Sequence, residues 1–174
     1  MNPAPNMNEI ELTIEDGEWP ALCADAGAIA VRAAHAALED HAAAPRQSIE
    51  LSIVLASDER LRALNRAYRG IDKPTNVLSF AAEAEARAGD QTPRLLGDVI
   101  MARQTVAREA RSSGLPVADH LSHLVVHGVL HLLGYDHEIE ADARKMQACE
   151  AMILARLGIA DPYARPDTRG ARRG

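Results

Sequence analysis

The sequence predicts a single α+β domain, with a mixed sheet of about four strands packed against about five helices. Three observations carry that prediction. Short stretches of two-residue apolar periodicity alternate with helical stretches early in the chain, whereas the last third reads as helix alone. At 174 residues, without internal repeats or a linker, the chain suits one domain with a substantial core. One stretch, Val117–Leu133, is apolar around most of a helical circumference, which places it at the centre.

The elements follow in order. Ile10, Leu12 and Ile14 alternate with Glu9, Glu11 and Glu15 as a half-buried strand, and Asp16-Gly17 turns the chain. Pro20 opens an alanine-rich helix running to about Asp40, and Pro45 breaks it. Ile49, Leu51, Ile53 and Leu55 mark a second strand. Ser57 or Asp58 caps a helix through about Tyr68, closed by Gly70. Val77–Phe80 is a short third strand, and Ala81–Arg94 a polar loop expected to be mobile. Leu95–Met101 is the fourth strand, followed by a helix to about Ser112. Gly114 and Pro116 punctuate before Val117–Leu133. A last helix, about Glu138–Leu157, stops at Gly158. The domain is expected over residues 1–158. Residues 159–174, with four arginines, two prolines and two glycines, read as a disordered tail.

Composition narrows the function. A net charge of −6 argues against a protein that coats nucleic acid non-specifically. With 3% aromatic residues, a base-stacking sheet is excluded as the main binding device, so any RNA contact runs through phosphates and a pocket. No apolar run reaches the ~18 residues that cross a membrane. The polar N-terminus lacks a signal pattern, and a cytoplasmic location is expected. Cys23 and Cys149 lie within helical patterns without metal-ligand spacing and read as free thiols.

The chemistry concentrates in His127-Gly-Val-Leu-His131-Leu-Leu-Gly-Tyr-Asp-His137. Two residues four apart on a helix share one face, offset by only ~40°. Gly134 can end the helix at positive φ and return the chain, so that His137 meets His127 and His131. Three imidazoles with an open fourth position form a catalytic zinc ligand set. The spacing is similar to that of the metzincin zinc proteases and makes this a metzincin-like His-bearing central helix. Gly128, however, stands where those enzymes carry their general-base glutamate, and glycine cannot take a proton. Asp136 and Glu138 could orient a histidine or act as a weak base, and turn or cap roles explain them equally. His120 and His123 precede the first ligand by two turns and one on the same stripe, as structural or metal-supporting residues.

At this point a family resemblance emerges. The histidine motif resembles the signature of the YbeY family, bacterial rRNA maturation factors described as single-strand-specific, metal-dependent endoribonucleases. Leu64-Asn-Arg-Ala-Tyr-Arg-Gly70, continuing through Lys73-Pro-Thr-Asn-Val-Leu-Ser-Phe80, resembles its central block, and Leu96-Gly-Asp-Val99 its Leu-Gly-Asp-Ile strand. The likeness spans about Leu51 to Gly158. Ala81 departs from it, standing where a proline often follows the Ser-Phe pair. The resemblance implies that His127, His131 and His137 bind one zinc ion per chain. It also implies that Arg69 is the functionally important arginine of a cationic cleft, a role suited to a guanidinium that pairs two phosphate oxygens. Lys73 and Arg66 could extend the positive patch. Thr75, Asn76 and Ser79 could add hydrogen bonds, although turn and strand-edge roles serve them as well.

The expected function is therefore that of a zinc-dependent endoribonuclease acting on single-stranded rRNA precursors, in 16S rRNA 3′-end maturation and ribosome quality control. The implied partners are the small ribosomal subunit with its proteins and a ribosome-associated GTPase. One alternative is a non-catalytic ribosome assembly factor with a structural zinc. The other is a zinc peptidase-like hydrolase, which Gly128 disfavours.

Overall fold

The structure, a computed structural model, describes residues 8–39, 48–83 and 93–164. Four strands, β1 (Glu9–Ile14), β2 (Ile49–Ala56), β3 (Val77–Ala81) and β4 (Arg94–Ala102), form one mixed sheet in the order β1-β2-β4-β3. β1 and β4 flank β2 in parallel, and β3 runs antiparallel along the outer side of β4. Both parallel pairings need a crossover, and helices supply them. Among the described residues six helices accompany the sheet: α1 (Trp19–Leu22), α2 (Ala26–Glu39), α3 (Asp58–Arg69), α4 (Arg103–Ser113), α5 (Val117–Leu132) and α6 (Glu140–Arg156).

Alternation along the strands sorts side chains to the two faces. Leu51, Ile53, Leu55, Val99 and Met101 point into the main core, against α2, α5 and α6. Leu78, Phe80, Ile100 and Val54 form a second, smaller cluster with Leu61 and Leu64 of α3. α5 is thus sandwiched, as the apolar circumference of Val117–Leu133 requires: Leu121, Leu124, Val125, Val126, Val129 and Leu130 are all buried. The alanines of α2, including fully buried Ala30, Ala33, Ala34 and Ala37, present a flat surface against which α5 packs.

The helix expected from Pro20 to Asp40 is two helices, which raises the count among the described residues to six. Cys23 adopts an extended backbone (φ −148°, ψ 108°) and separates α1 from α2. The short first piece seats Trp19, which is fully buried and whose Nε1–H donates to the Ala56 carbonyl at 2.9 Å. Burying an indole requires a partner for its N–H, and the bend provides one. Of the two candidate caps for α3, Ser57 does the work, accepting from the Arg60 amide at 3.3 Å. Asp58 instead accepts from the Thr105 amide and hydroxyl at 2.8 and 2.9 Å, so it caps the first turn of α4 from another element.

Most of the loop expected between Ala81 and Arg94 falls outside the described residues, as do residues 165–174 of the expected tail. The tail's first residues are described and pack. Ile159 lies against the core, and Tyr163 reaches back to α6. Among the described residues no helix is long and apolar enough to cross a membrane. Cys23 and Cys149 are not joined in a disulfide, and Cys149 is buried.

Candidate metal centre

α5 presents His127 and His131 one turn apart, and the helix ends where the sequence places its glycine. Gly134 takes φ +103°, and the Tyr135 amide donates back to the Leu130 carbonyl at 3.0 Å, reversing the chain. Asp136 then shapes the turn, its Oδ1 accepting from the His137 and Glu138 amides at 2.6 and 3.2 Å. The result brings His137 to the other two. One nitrogen from each ring lies within 4.8 Å of those of its two neighbours, and the Nε2 atoms of His127 and His131 are 3.1 Å apart. His137 is exposed and the other two half-buried, so the cluster opens to solvent on one side.

The buried side of the cluster contains a residue that the sequence reading missed. Glu150 of α6 is fully buried, with Oε1 2.5 Å from His127 Nδ1 and Oε2 accepting from the Tyr163 hydroxyl at 2.6 Å. His123 stands beside both, its Nε2 3.2 Å from the Tyr163 oxygen and 3.6 Å from Glu150 Oε1. Burial alone would raise the Glu150 carboxyl. Its interactions with His123, His127 and Tyr163 outweigh burial and hold the pKa down to about 2. Burial and the adjacent carboxylate push the Tyr163 hydroxyl up, keeping it a donor. The signal for Glu150 was present in the sequence. It falls on the apolar stripe of α6 with Met146, Cys149, Ile153 and Leu154, where a carboxylate is costly without partners.

The ring atoms fit a metal. A carboxylate on Nδ1 assigns the proton of His127 to that nitrogen and leaves the Nε2 lone pair facing His131, the arrangement that orients metal-ligating histidines. Burial and repulsion from His127 and His137 lower the His131 pKa, favouring the neutral imidazole that ligates. Three nitrogen donors suit zinc and its first-row neighbours more than magnesium or calcium.

Gly128 is buried with its α-carbon facing the sheet. A Cβ there would meet Val99 Cγ1 at 2.8 Å and Ser79 Oγ at 3.0 Å. The position that carries the base in metzincins is here a close approach of α5 to β3 and β4. Ser79 Oγ also donates to the Gly128 carbonyl at 3.2 Å, tying β3 to the histidine helix.

The remaining candidates are spread more widely. Arg69 is exposed at the end of α3, which packs on the sheet face opposite α5, and among the described residues it makes no ion pair. The preceding Tyr68 ring lies 5.2 Å from that of Phe80, holding this end of α3 against β3. Lys73 is exposed, and its carbonyl accepts from Asn65 Nδ2 at 2.9 Å. Thr75 is half-buried. Asn76 is occupied by structure: Nδ2 donates to Glu109 at 2.9 Å and Oδ1 accepts from the Val77 amide at 2.7 Å. Glu109 also meets His120 Nε2 at 3.0 Å, which places His120 in a link between α4 and α5 away from the three-histidine cluster.

Residues 24–158 match a family model described as Endoribonuclease YbeY. A protein of that name from Azorhizobium caulinodans is 52% identical over 158 residues, covering 91% of this chain and 98% of its own length. Its namesakes from Rhodospirillum rubrum and Rhodopseudomonas palustris are 51% and 50% identical, covering 89% and 90% of this chain and 80% and 82% of theirs.

Proposed function

The chain belongs to the endoribonuclease YbeY family, and from that membership we propose that it is a zinc-dependent endoribonuclease that cleaves single-stranded rRNA precursors. Its place is in 16S rRNA 3′-end maturation and ribosome quality control, in the cytoplasm, with the small ribosomal subunit, its proteins and a ribosome-associated GTPase as partners. The observation that carries this reading is the convergence of His127, His131 and His137 on one point, with His127 fixed from behind by a buried carboxylate.

His127, His131 and His137 hold the metal, which when bound supplies Lewis acidity at neutral pH. Arg69 pairs with phosphate oxygens of the substrate and offsets charge that develops there during cleavage. Its exposure and its lack of an ion pair among the described residues support that role, since a guanidinium already paired with a carboxylate is less available to phosphate. Lys73 adds positive charge nearby, and Thr75 offers a hydroxyl on the same segment, whereas the Ser79 hydroxyl is engaged by the Gly128 carbonyl. Close packing at Gly128 supports phosphodiester chemistry over the peptidase alternative.

The test joins metal analysis to an RNA-cleavage assay. Purified protein is expected to carry about one zinc per chain, by the three-ligand rule for catalytic sites, and to cut single-stranded RNA. His131→Ala is expected to lose both metal and cleavage while remaining folded. A metal-free wild type, or a metal-loaded one that leaves RNA intact, would refute the reading. An unfolded His131→Ala would favour the assembly-factor alternative, in which the zinc is structural. Product ends report the attacking oxygen: a 2′,3′-cyclic phosphate means the RNA 2′-hydroxyl, and a 5′-phosphate with a free 3′-hydroxyl means water.

A further inference from the structure

We propose that the segment after α6 is part of the metal centre. Tyr163 holds Glu150 so that Glu150 can fix His127, and metal binding and docking of residues 159–164 are therefore coupled.

The hydrogen bonds converge on Glu150. Glu150 accepts on both oxygens, from His127 Nδ1–H on one side and from the Tyr163 hydroxyl on the other, and it has no exposure to water. Because the Tyr163 proton goes to Glu150, the tyrosine oxygen is an acceptor for His123 Nε2–H at 3.2 Å. The order is His123 to Tyr163, Tyr163 to Glu150, and His127 to Glu150, with every proton assigned. That order leaves the His127 Nε2 lone pair directed at His131. Removing the tyrosine hydroxyl leaves one oxygen of a buried carboxylate without its donor, and the carboxylate is then freer to turn away from His127.

Tyr163 is held in place by its own segment. Its amide donates to Asp161 Oδ1 at 2.8 Å and the Ala164 amide to the Asp161 carbonyl at 3.2 Å, forming a tight turn. Ile159 anchors the start of the segment on the core, and the Tyr163 ring stands perpendicular to that of His123 at 5.5 Å. Tyr163 is 40% exposed, so its side chain can leave Glu150 while Ile159 stays on the core. A contact that favours the metal-binding form of His127 must, by reciprocity, be strengthened when metal is bound. Glu150 and Tyr163 act through His127 and are positioning residues.

This inference rests on the metal-site reading above, and the experiment separates the two. Zinc alone is titrated against a competing chelator into wild type, Glu150→Gln and Tyr163→Phe. Amide hydrogen exchange over residues 157–164 is followed with and without zinc. Loss of a partner that orients a ligand typically weakens metal binding about 10–100-fold, the loss expected for Glu150→Gln. Tyr163→Phe keeps the ring and is expected to lose about 3–10-fold, since it removes a support of Glu150 and not the contact to His127. Zinc is expected to slow exchange of 157–164 in wild type and to have little effect there in Tyr163→Phe. A purely structural role would lower stability without changing zinc affinity. Unchanged affinity in Tyr163→Phe overturns the inference even if Glu150→Gln fails to fold. Wild type that takes up no zinc overturns both this inference and the metal-site reading.

Discussion

Replacing Gly128 by alanine isolates the contact that sets how closely the histidine helix approaches the sheet. Its backbone is helical with negative φ, so alanine is conformationally allowed and in an open helix would stabilise by about 1 kcal/mol. Here the added Cβ would sit 2.8 and 3.3 Å from the two methyls of Val99 and 3.0 Å from Ser79 Oγ. Val99 is fully buried in β4 and β-branched, so it cannot swing aside, and relief requires α5 to move outward by a few tenths of an ångström. Overpacking of this kind costs about 1–3 kcal/mol. Set against the gain in helix propensity, the net expectation is a loss of about 0–2 kcal/mol. Urea unfolding with the metal chelated measures it, and an unchanged m-value shows that the unfolded state is unaffected. Val99→Ala alone is expected to cost about 2 kcal/mol for the cavity it leaves. In that background Gly128→Ala is expected to be neutral or stabilising, giving a coupling of about 1–3 kcal/mol. A Gly128→Ala protein more stable than wild type by about 1 kcal/mol, with no coupling to Val99, would refute the close-packing argument.

Two further predictions concern charge. Arg69→Ala is expected to abolish RNA cleavage and leave zinc content unchanged. Because Arg69 is exposed without an ion pair among the described residues, stability should move by less than about 0.5 kcal/mol. Full cleavage by the variant would remove Arg69 from the site. Asp16 pairs with Arg103 at 2.6 Å, and this hydrogen bond is the first cause holding its carboxyl below the usual range. A lowered folded pKa contributes stability that is complete above the unfolded value of about 3.9 and is lost as pH falls through the lower folded value. Asp16→Asn is therefore expected to be less stable than wild type near neutral pH, by no more than about 1 kcal/mol for a partly screened pair. The difference should shrink toward zero in strong acid. A difference that persists unchanged at the acid end would mean that the pair contributes through shape and not through charge.

Local signals made most of the architecture legible. Alternation in Ile10–Ile14 and Ile49–Leu55, the Ser57 cap, Gly70 and the all-round apolar surface of Val117–Leu133 each bear on a few consecutive residues, and short-range rules read them directly. The expected single helix from Pro20 split because the Trp19 indole needed the Ala56 carbonyl, 37 positions away, which no local pattern reports. Asp58 was a plausible cap for its own helix, yet it caps α4 through Thr105, 47 positions on. Asn76 was a candidate for a cleft and is engaged by Glu109 instead.

The histidine centre divides in the same way. By itself the sequence determined the three imidazoles, because helical spacing and a glycine able to take positive φ are properties of one short segment, from His127 to His137. Tertiary structure alone decided what stands behind them. Glu150 lies 23 positions from His127 and Tyr163 a further 13, and their hydrogen bonds exist only because α6 packs on α5 and the following turn folds back. It also decided that Gly128, which the sequence marked only by the absence of a base, is the point where the helix meets Val99 and Ser79. Spacing along a helix fixes direction over one or two turns, whereas the partner of a buried polar group is chosen by packing across the whole chain.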